Sequence, residues 1–202
     1  MTGNAKLSNV IAPGFVDVHK AIKAGRYTHY WLKGGRGSTK SSFVGTEIPL
    51  GMMRDAAKGL HTNAIILRRY GVTLRESVFE QIGWAINALG VSHLWRGNVS
   101  PMSWTYTPTG QKIVFRGADD PTKVKSIKFA KGWPKYLWYE EVSEFEGPEK
   151  IRSINQSVLR GGADFVAFYT FNPPQSARNW VNQYILIERD DTLVHHSTYL
   201  GV

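Results

Sequence analysis

Tyr27-Thr28-His29-Tyr30-Trp31-Leu32, followed by Lys33 and then Gly34-Gly35-Arg36-Gly37-Ser38-Thr39-Lys40-Ser41, reads as a strand running into a glycine-rich loop. A loop that cradles phosphate needs small residues whose backbone N–H groups turn inward on the anion. It also needs a lysine to reach the β/γ oxygens and a hydroxyl to hold Mg²⁺. Gly34, Gly35 and Gly37, then Lys40, then Ser41 supply these parts in that order. Residues 38–42 start the next helix, whose N-terminal dipole adds to anion binding. The usual spacing has a glycine immediately before the lysine, and Thr39 stands there instead. Taken alone, the stretch is equally a solvated Gly/Ser turn carrying one lysine.

Two segments downstream bear on that choice. Lys135-Tyr136-Leu137-Trp138-Tyr139-Glu140-Glu141 is an apolar run ending in adjacent carboxylates. A parallel strand buried on both faces reads as such a run rather than as an alternation. Its C-terminal end opens where ligands of open α/β sheets bind. As a Walker B strand it would place Glu140 on Mg²⁺, mostly through water, and Glu141 on the attacking water; the alternative is an exposed acidic turn. Asp164-Phe165-Val166-Ala167-Phe168-Tyr169-Thr170-Phe171-Asn172-Pro173-Pro174 has the same form, with Thr170 and Asn172 at its tip. In multi-strand P-loop ATPases a polar residue there senses the γ-phosphate, although Asn-Pro is also an ordinary stop signal.

With 202 residues the chain suits one α/β domain with a sizeable core, spanning residues 1–202. It has no run of about 18 apolar residues and no apolar N-terminal stretch, so neither a membrane span nor a signal peptide is expected. The absence of cysteine excludes disulfides and thiolate metal sites and agrees with a reducing compartment. A net charge of +9 fits a polyanionic partner. Lys123, Lys125, Lys128, Lys131 and Lys135 form the densest basic cluster, facing DNA, the next subunit or only solvent.

The pattern predicts strand 27–33, helix 40–58, strand 63–69, helix 74–89 and a β-rich stretch 93–116. It continues with strand 135–140, helix 148–160, strand 164–171, helix 176–187 and strand 192–198. This alternation implies a mostly parallel sheet with helices on both faces. Pro49 and Gly51 are expected to kink or split the first long helix. Phe15 is read as core. His195 and His196 are adjacent on a strand, point to opposite faces and carry no metal role.

The three motifs together resemble the ATPase domain of the large terminase subunit, the DNA-packaging motor of tailed bacteriophages. The resemblance extends through Leu67-Arg68-Arg69-Tyr70, Leu74-Arg75-Glu76-Ser77-Val78-Phe79, Phe115-Arg116-Gly117-Ala118-Asp119-Asp120-Pro121 and Lys125-Ser126, and covers nearly the whole chain. It implies a RecA-like P-loop fold of the ASCE type, ATP and Mg²⁺ as cofactors, and Mg-dependent ATP hydrolysis coupled to translocation of double-stranded DNA into a procapsid. It further implies a portal protein and a small terminase subunit as partners, a ring of copies during packaging, and the host bacterial cytoplasm as location. Many members have Asp where Glu140 stands, and the segment before their first core strand lies near the adenine, which implies Phe15 as a ring packed on the base. Arg36, inside the loop, is the candidate arginine finger in cis; Arg116, then Arg68, Arg69 or Arg75, are candidates to enter a neighbouring subunit's site. Members also carry a C-terminal nuclease domain. The chain stops at Val202, so an isolated motor domain without cutting activity is expected. The rival readings are another P-loop nucleic-acid motor and a non-catalytic DNA-binding or assembly module with a relic loop.

Overall fold

The computed structural model describes residues 6–162 and 164–198. Eight strands form one sheet in the order β3-β4-β5-β2-β6-β7-β1-β8. They are β1 (His29–Gly34), β2 (Thr62–Arg68), β3 (Trp95–Val99), β4 (Met102–Tyr106), β5 (Gln111–Gly117), β6 (Trp133–Glu140), β7 (Val166–Phe171) and β8 (Thr192–Ser197). From β5 to β8 all neighbours are parallel; β3 and β4 extend one edge as an antiparallel pair.

Period-two alternation along each central strand divides its apolar residues between two cores. Tyr30, Leu32, Ile66, Trp138 and Phe168 face one side and pack on α1 (Val16–Lys23), α2 (Lys40–Ala57) and α3 (Glu80–Ala88). Trp31, Leu67, Leu137, Tyr139 and Tyr169 face the other and pack on α4 (Pro121–Lys125), α5 (Pro148–Val158) and α6 (Trp180–Tyr184). Both faces being covered is why these strands are unbroken apolar runs in sequence. Each fully buried aliphatic side chain here contributes about 2 kcal/mol. Across the second face Trp31, Tyr169 and Tyr139 stack, with ring centroids 4.2 and 5.1 Å apart.

Several elements differ from the sequence reading. α2 is one helix with Pro49 inside it; residues 43–49 are all buried, and packing on α3 and the sheet holds the helix through the missing N–H. The helix expected over 74–89 opens with a π-helical turn, Arg75–Phe79, before α3. The helix expected over 176–187 shortens to α6, where the Asn179 side chain caps the Val181 N–H at 3.1 Å. α1 and α4 are elements the sequence reading did not separate. Among the described residues no helix is long and apolar enough to cross a membrane.

Candidate functional site

Strand register brings the motifs together before any side chain is considered. Thr170 pairs with Leu32 on one side and with Glu140 on the other, so the ends of β1, β7 and β6 lie in one row. The loop after Leu32, the carboxylates at Glu140 and Glu141, and Asn172 two residues past Thr170 therefore share the C-terminal edge of the sheet. Strand β7 lies between β1 and β6.

In the loop, two backbone features depend on glycine chemistry. A Cβ on Gly34 would collide with Ser38 Oγ and lie 2.5 Å from the Ser197 carbonyl, so only glycine fits between β8 and the loop. Gly37 has φ 76°, the left-handed region where glycine is favoured. Thr39 also lies in that region, with φ 55° and ψ 9°, directly before α2. That conformation explains why a glycine is common before the lysine. The buried hydroxyls of Ser38 and Thr39 have no hydrogen-bond partner among the described residues, and they sit beside the N-terminus of an 18-residue helix, a place suited to an anion.

Lys40 is 6% exposed. Its ammonium donates to Asn172 Oδ1 at 2.7 Å and to the Gly35 carbonyl at 3.4 Å. Asn172 Nδ2 in turn donates to Glu141 Oε1 at 3.2 Å. Because an ammonium only donates and a carboxylate only accepts, these partners fix which end of the carboxamide points where. Asn172 thus bridges the loop lysine and the second carboxylate. Glu141 itself is a non-glycine residue at φ 52°, ψ 53°, where the left-handed backbone costs about 1–2 kcal/mol. It turns the chain sharply after β6.

Glu140 is held from two sides. Ser41 Oγ donates to Oε1 at 3.0 Å, and Thr170 Oγ1 donates to Oε2. Thr170 is itself oriented by the buried Trp138, whose Nε1 donates to Oγ1 at 2.8 Å. Burial pushes the Glu140 carboxyl above its usual range; the Thr170 bond opposes this, the Glu141 charge adds to it, and Ser41 and Lys40 oppose it. Burial likewise lowers the Lys40 pKa, against the attraction of Glu141 and Glu140. Ser41 Oγ and the Glu140 carboxylate are two hard oxygen donors side by side, a set that fits Mg²⁺ completed by water and phosphate oxygens.

The other candidates are placed differently. Arg36 is exposed on the loop. Arg116 lies on β5, four positions from β1 in the sheet, and its Nη1 donates to the Phe115 carbonyl at 2.7 Å. Strands are spaced about 4.8 Å apart, so β5 and β1 are separated by roughly 19 Å. Arg68 and Arg69 tie the end of β2 to the segment after β6, through Glu144 at 3.8 Å and Glu146 at 2.6 Å. Arg75 is exposed. Phe15 is core: 1% exposed, stacked on Phe43 at 4.5 Å and tilted against His195 at 4.9 Å. His195 turns inward and His196 outward, as alternation requires. Lys135 leaves the basic cluster and is half of a buried ion pair with Asp55; the Lys123 side chain lies outside the described residues. The role of Trp138 was not legible, because a tryptophan within an apolar run reads as core.

The large terminase subunit of Bacillus phage SPP1 is 40% identical to the chain over 201 residues, 96% of this chain and 46% of that protein. Among solved structures, the large terminase of a thermophilic bacteriophage has a TM-score of 0.73 at 11% identity, over 94% of this chain and 46% of that one. The same thermophilic phage protein in complex with ADP has a TM-score of 0.67 at 14% identity, over 95% and 47%. The chain spans about half the length of the curated relatives it matches, 46% and 41%. The family model described as phage terminase large subunit matches residues 26–201, which takes in every strand of the sheet, and the chain belongs to that family.

Proposed function

We propose that this chain is a Mg-dependent ATPase, the motor domain that drives double-stranded DNA into a procapsid. The observation that carries the reading is the Lys40–Asn172–Glu141 bridge, with an ammonium and a carboxylate on either side of one carboxamide, an arrangement that suits a phosphate-binding cation and a general base. The ADP complex of the thermophilic phage large terminase, a protein of the same fold, supports a nucleotide at this edge.

The amides of Gly34 to Ser41 and the free hydroxyls of Ser38 and Thr39 hold the phosphates, and Lys40 exchanges Asn172 for the β/γ oxygens. Ser41 and Glu140 hold Mg²⁺, which when bound neutralises charge on the phosphate oxygens. Glu141 orients the attacking water and accepts its proton. Asn172 and Thr170 report the γ-phosphate to the segment after β7. Phosphoryl transfer depends mostly on positioning and charge, and an arginine adds about 10³ to 10⁵ in rate. Arg36 is the cis candidate; Arg116, two strands from β6 and bonded to the Phe115 carbonyl, is the candidate to enter a neighbouring copy's site in a ring. Portal protein and small subunit are the partners this reading implies, in the host cytoplasm.

Phosphate release by wild type, Lys40→Ala and Glu141→Gln tests it. Lys40→Ala should lose nucleotide binding. Glu141→Gln should keep binding and lose turnover by about 10²-fold or more, the range for a general base. Equal phosphate release by all three would remove catalysis and leave a binding module.

A further inference from the structure

Toward the opposite edge of the sheet from the phosphate loop, a groove of about 390 Å³ runs along β5. Four separate parts of the chain line it: Lys112 and Arg116 of β5, Lys128, Phe129 and Lys131 from the segment before β6, His61 and Asn63 at the start of β2, and Met102 and Ser103 of β4. None of the described residues lining it is acidic. Alternation on β5 sends Ile113 and Phe115 into the core and leaves Lys112 and Arg116 on the groove side. Four residues of strand separate the two charges by roughly 13 Å.

The two basic walls are fixed to each other. Asn63, 1% exposed, donates from Nδ2 to the Lys131 carbonyl at 3.0 Å and accepts at Oδ1 from the Lys112 N–H at 2.9 Å. A single buried side chain therefore sets the distance between the lysine-bearing segments. A solvated lysine face needs no such brace. Lys135, next along the sequence, is drawn away to Asp55 and Asp164, so the groove's charge is not simply that of its stretch of chain.

We infer that this groove holds the phosphodiester backbone of duplex DNA, as a contact surface separate from the phosphate loop. The inference rests on the packaging reading for the identity of the partner alone. Charged groups fixed in a cleft are suited to phosphate contact, with affinity that falls with salt.

Binding of a fluorescently labelled duplex of about 30 base pairs, titrated across salt concentrations, tests it with the whole chain. The triple substitution Lys112→Ala, Lys128→Ala and Lys131→Ala should weaken binding at least about tenfold and lower the log K against log salt slope by about 0.9 for each phosphate no longer neutralised. A control triple on other exposed lysines, Lys6→Ala, Lys23→Ala and Lys58→Ala, removes the same charge and should change affinity less than about twofold. Lys40→Ala should leave duplex binding intact, which separates the groove from a phosphate site shared with nucleotide. Phosphate release without DNA should be unchanged in the groove triple, and an inactive wild type would defeat the ATPase reading without altering the binding comparison. Equal weakening in the two triples, weakening in Lys40→Ala that matches the groove triple, or no duplex binding by wild type would each overturn the groove.

Discussion

Thr39 holds a backbone conformation that a β-branched residue adopts at a cost of about 1–2 kcal/mol, and its buried hydroxyl has no partner among the described residues. Thr39→Gly should therefore stabilise the nucleotide-free chain by about 0.5–1 kcal/mol, after allowing for glycine's greater entropy loss on folding. Chemical denaturation measures this, and a destabilised variant would show that the hydroxyl has a structural role. The placement of Lys40, Ser41, Glu140, Glu141, Thr170 and Asn172 at one edge of the sheet was legible, because a polar residue at the tip of an apolar run has few reasons to be there. Their pairwise bonds were not. Nothing in sequence says that one carboxamide touches both Lys40 and Glu141, or that Trp138 orients Thr170, since both facts depend on β7 lying between β1 and β6.

At the scale of elements, α2 is anchored at both ends by chemistry of different kinds. Its N-terminus faces the phosphate loop, while Asp55 near its C-terminus is 4% exposed and accepts from Thr62 Oγ1 at 2.9 Å, Tyr136 OH at 2.7 Å and Lys135 Nζ at 3.1 Å. The network binds α2 to β2 and β6 at the sheet edge opposite the site. Burial works against the Lys135 charge, but Asp164 and Asp55 more than offset it, and the ammonium is held above its usual pKa. Asp55→Ala leaves Thr62 and Tyr136 without their acceptor and Lys135 with Asp164 alone, and should cost about 3 kcal/mol, read as a lower urea midpoint with little change in m-value. A cost under about 1 kcal/mol would mean water replaces the carboxylate. Strand existence was readable here from apolar runs, whereas helix continuity was not. Pro49 argued for a break that tertiary packing overrides, and the π-helical turn at Arg75–Phe79 has no distinct sequence signal.

For the molecule as a whole, desolvation at the ends and edge of the sheet lowers the pKa values of His29, His61 and His195. Burial is the main cause in each; Asp191 partly opposes it at His29, where Arg189 adds to it, and Lys131 and His196 add to it at His61 and His195. The unfolded chain binds these protons first as pH falls, so stability present above about 6.5 is lost as pH drops through the folded values. The thermal midpoint should decline between about pH 7 and 5.5, and Gln at all three positions should flatten that decline. An unchanged slope in the triple variant would assign the acid sensitivity to other groups. The doubly covered sheet was the most legible level, since two-sided burial writes itself into the strands as continuous apolar runs.

With β7 inserted between them, β1 and β6 share no backbone hydrogen bonds, and the opposite charges they present meet through the side chain of Asn172. A half-turn about one χ2 torsion disengages both partners together, a motion that needs no displacement of any strand. Opening or shutting this latch of two hydrogen bonds at the rim thus leaves every strand in place.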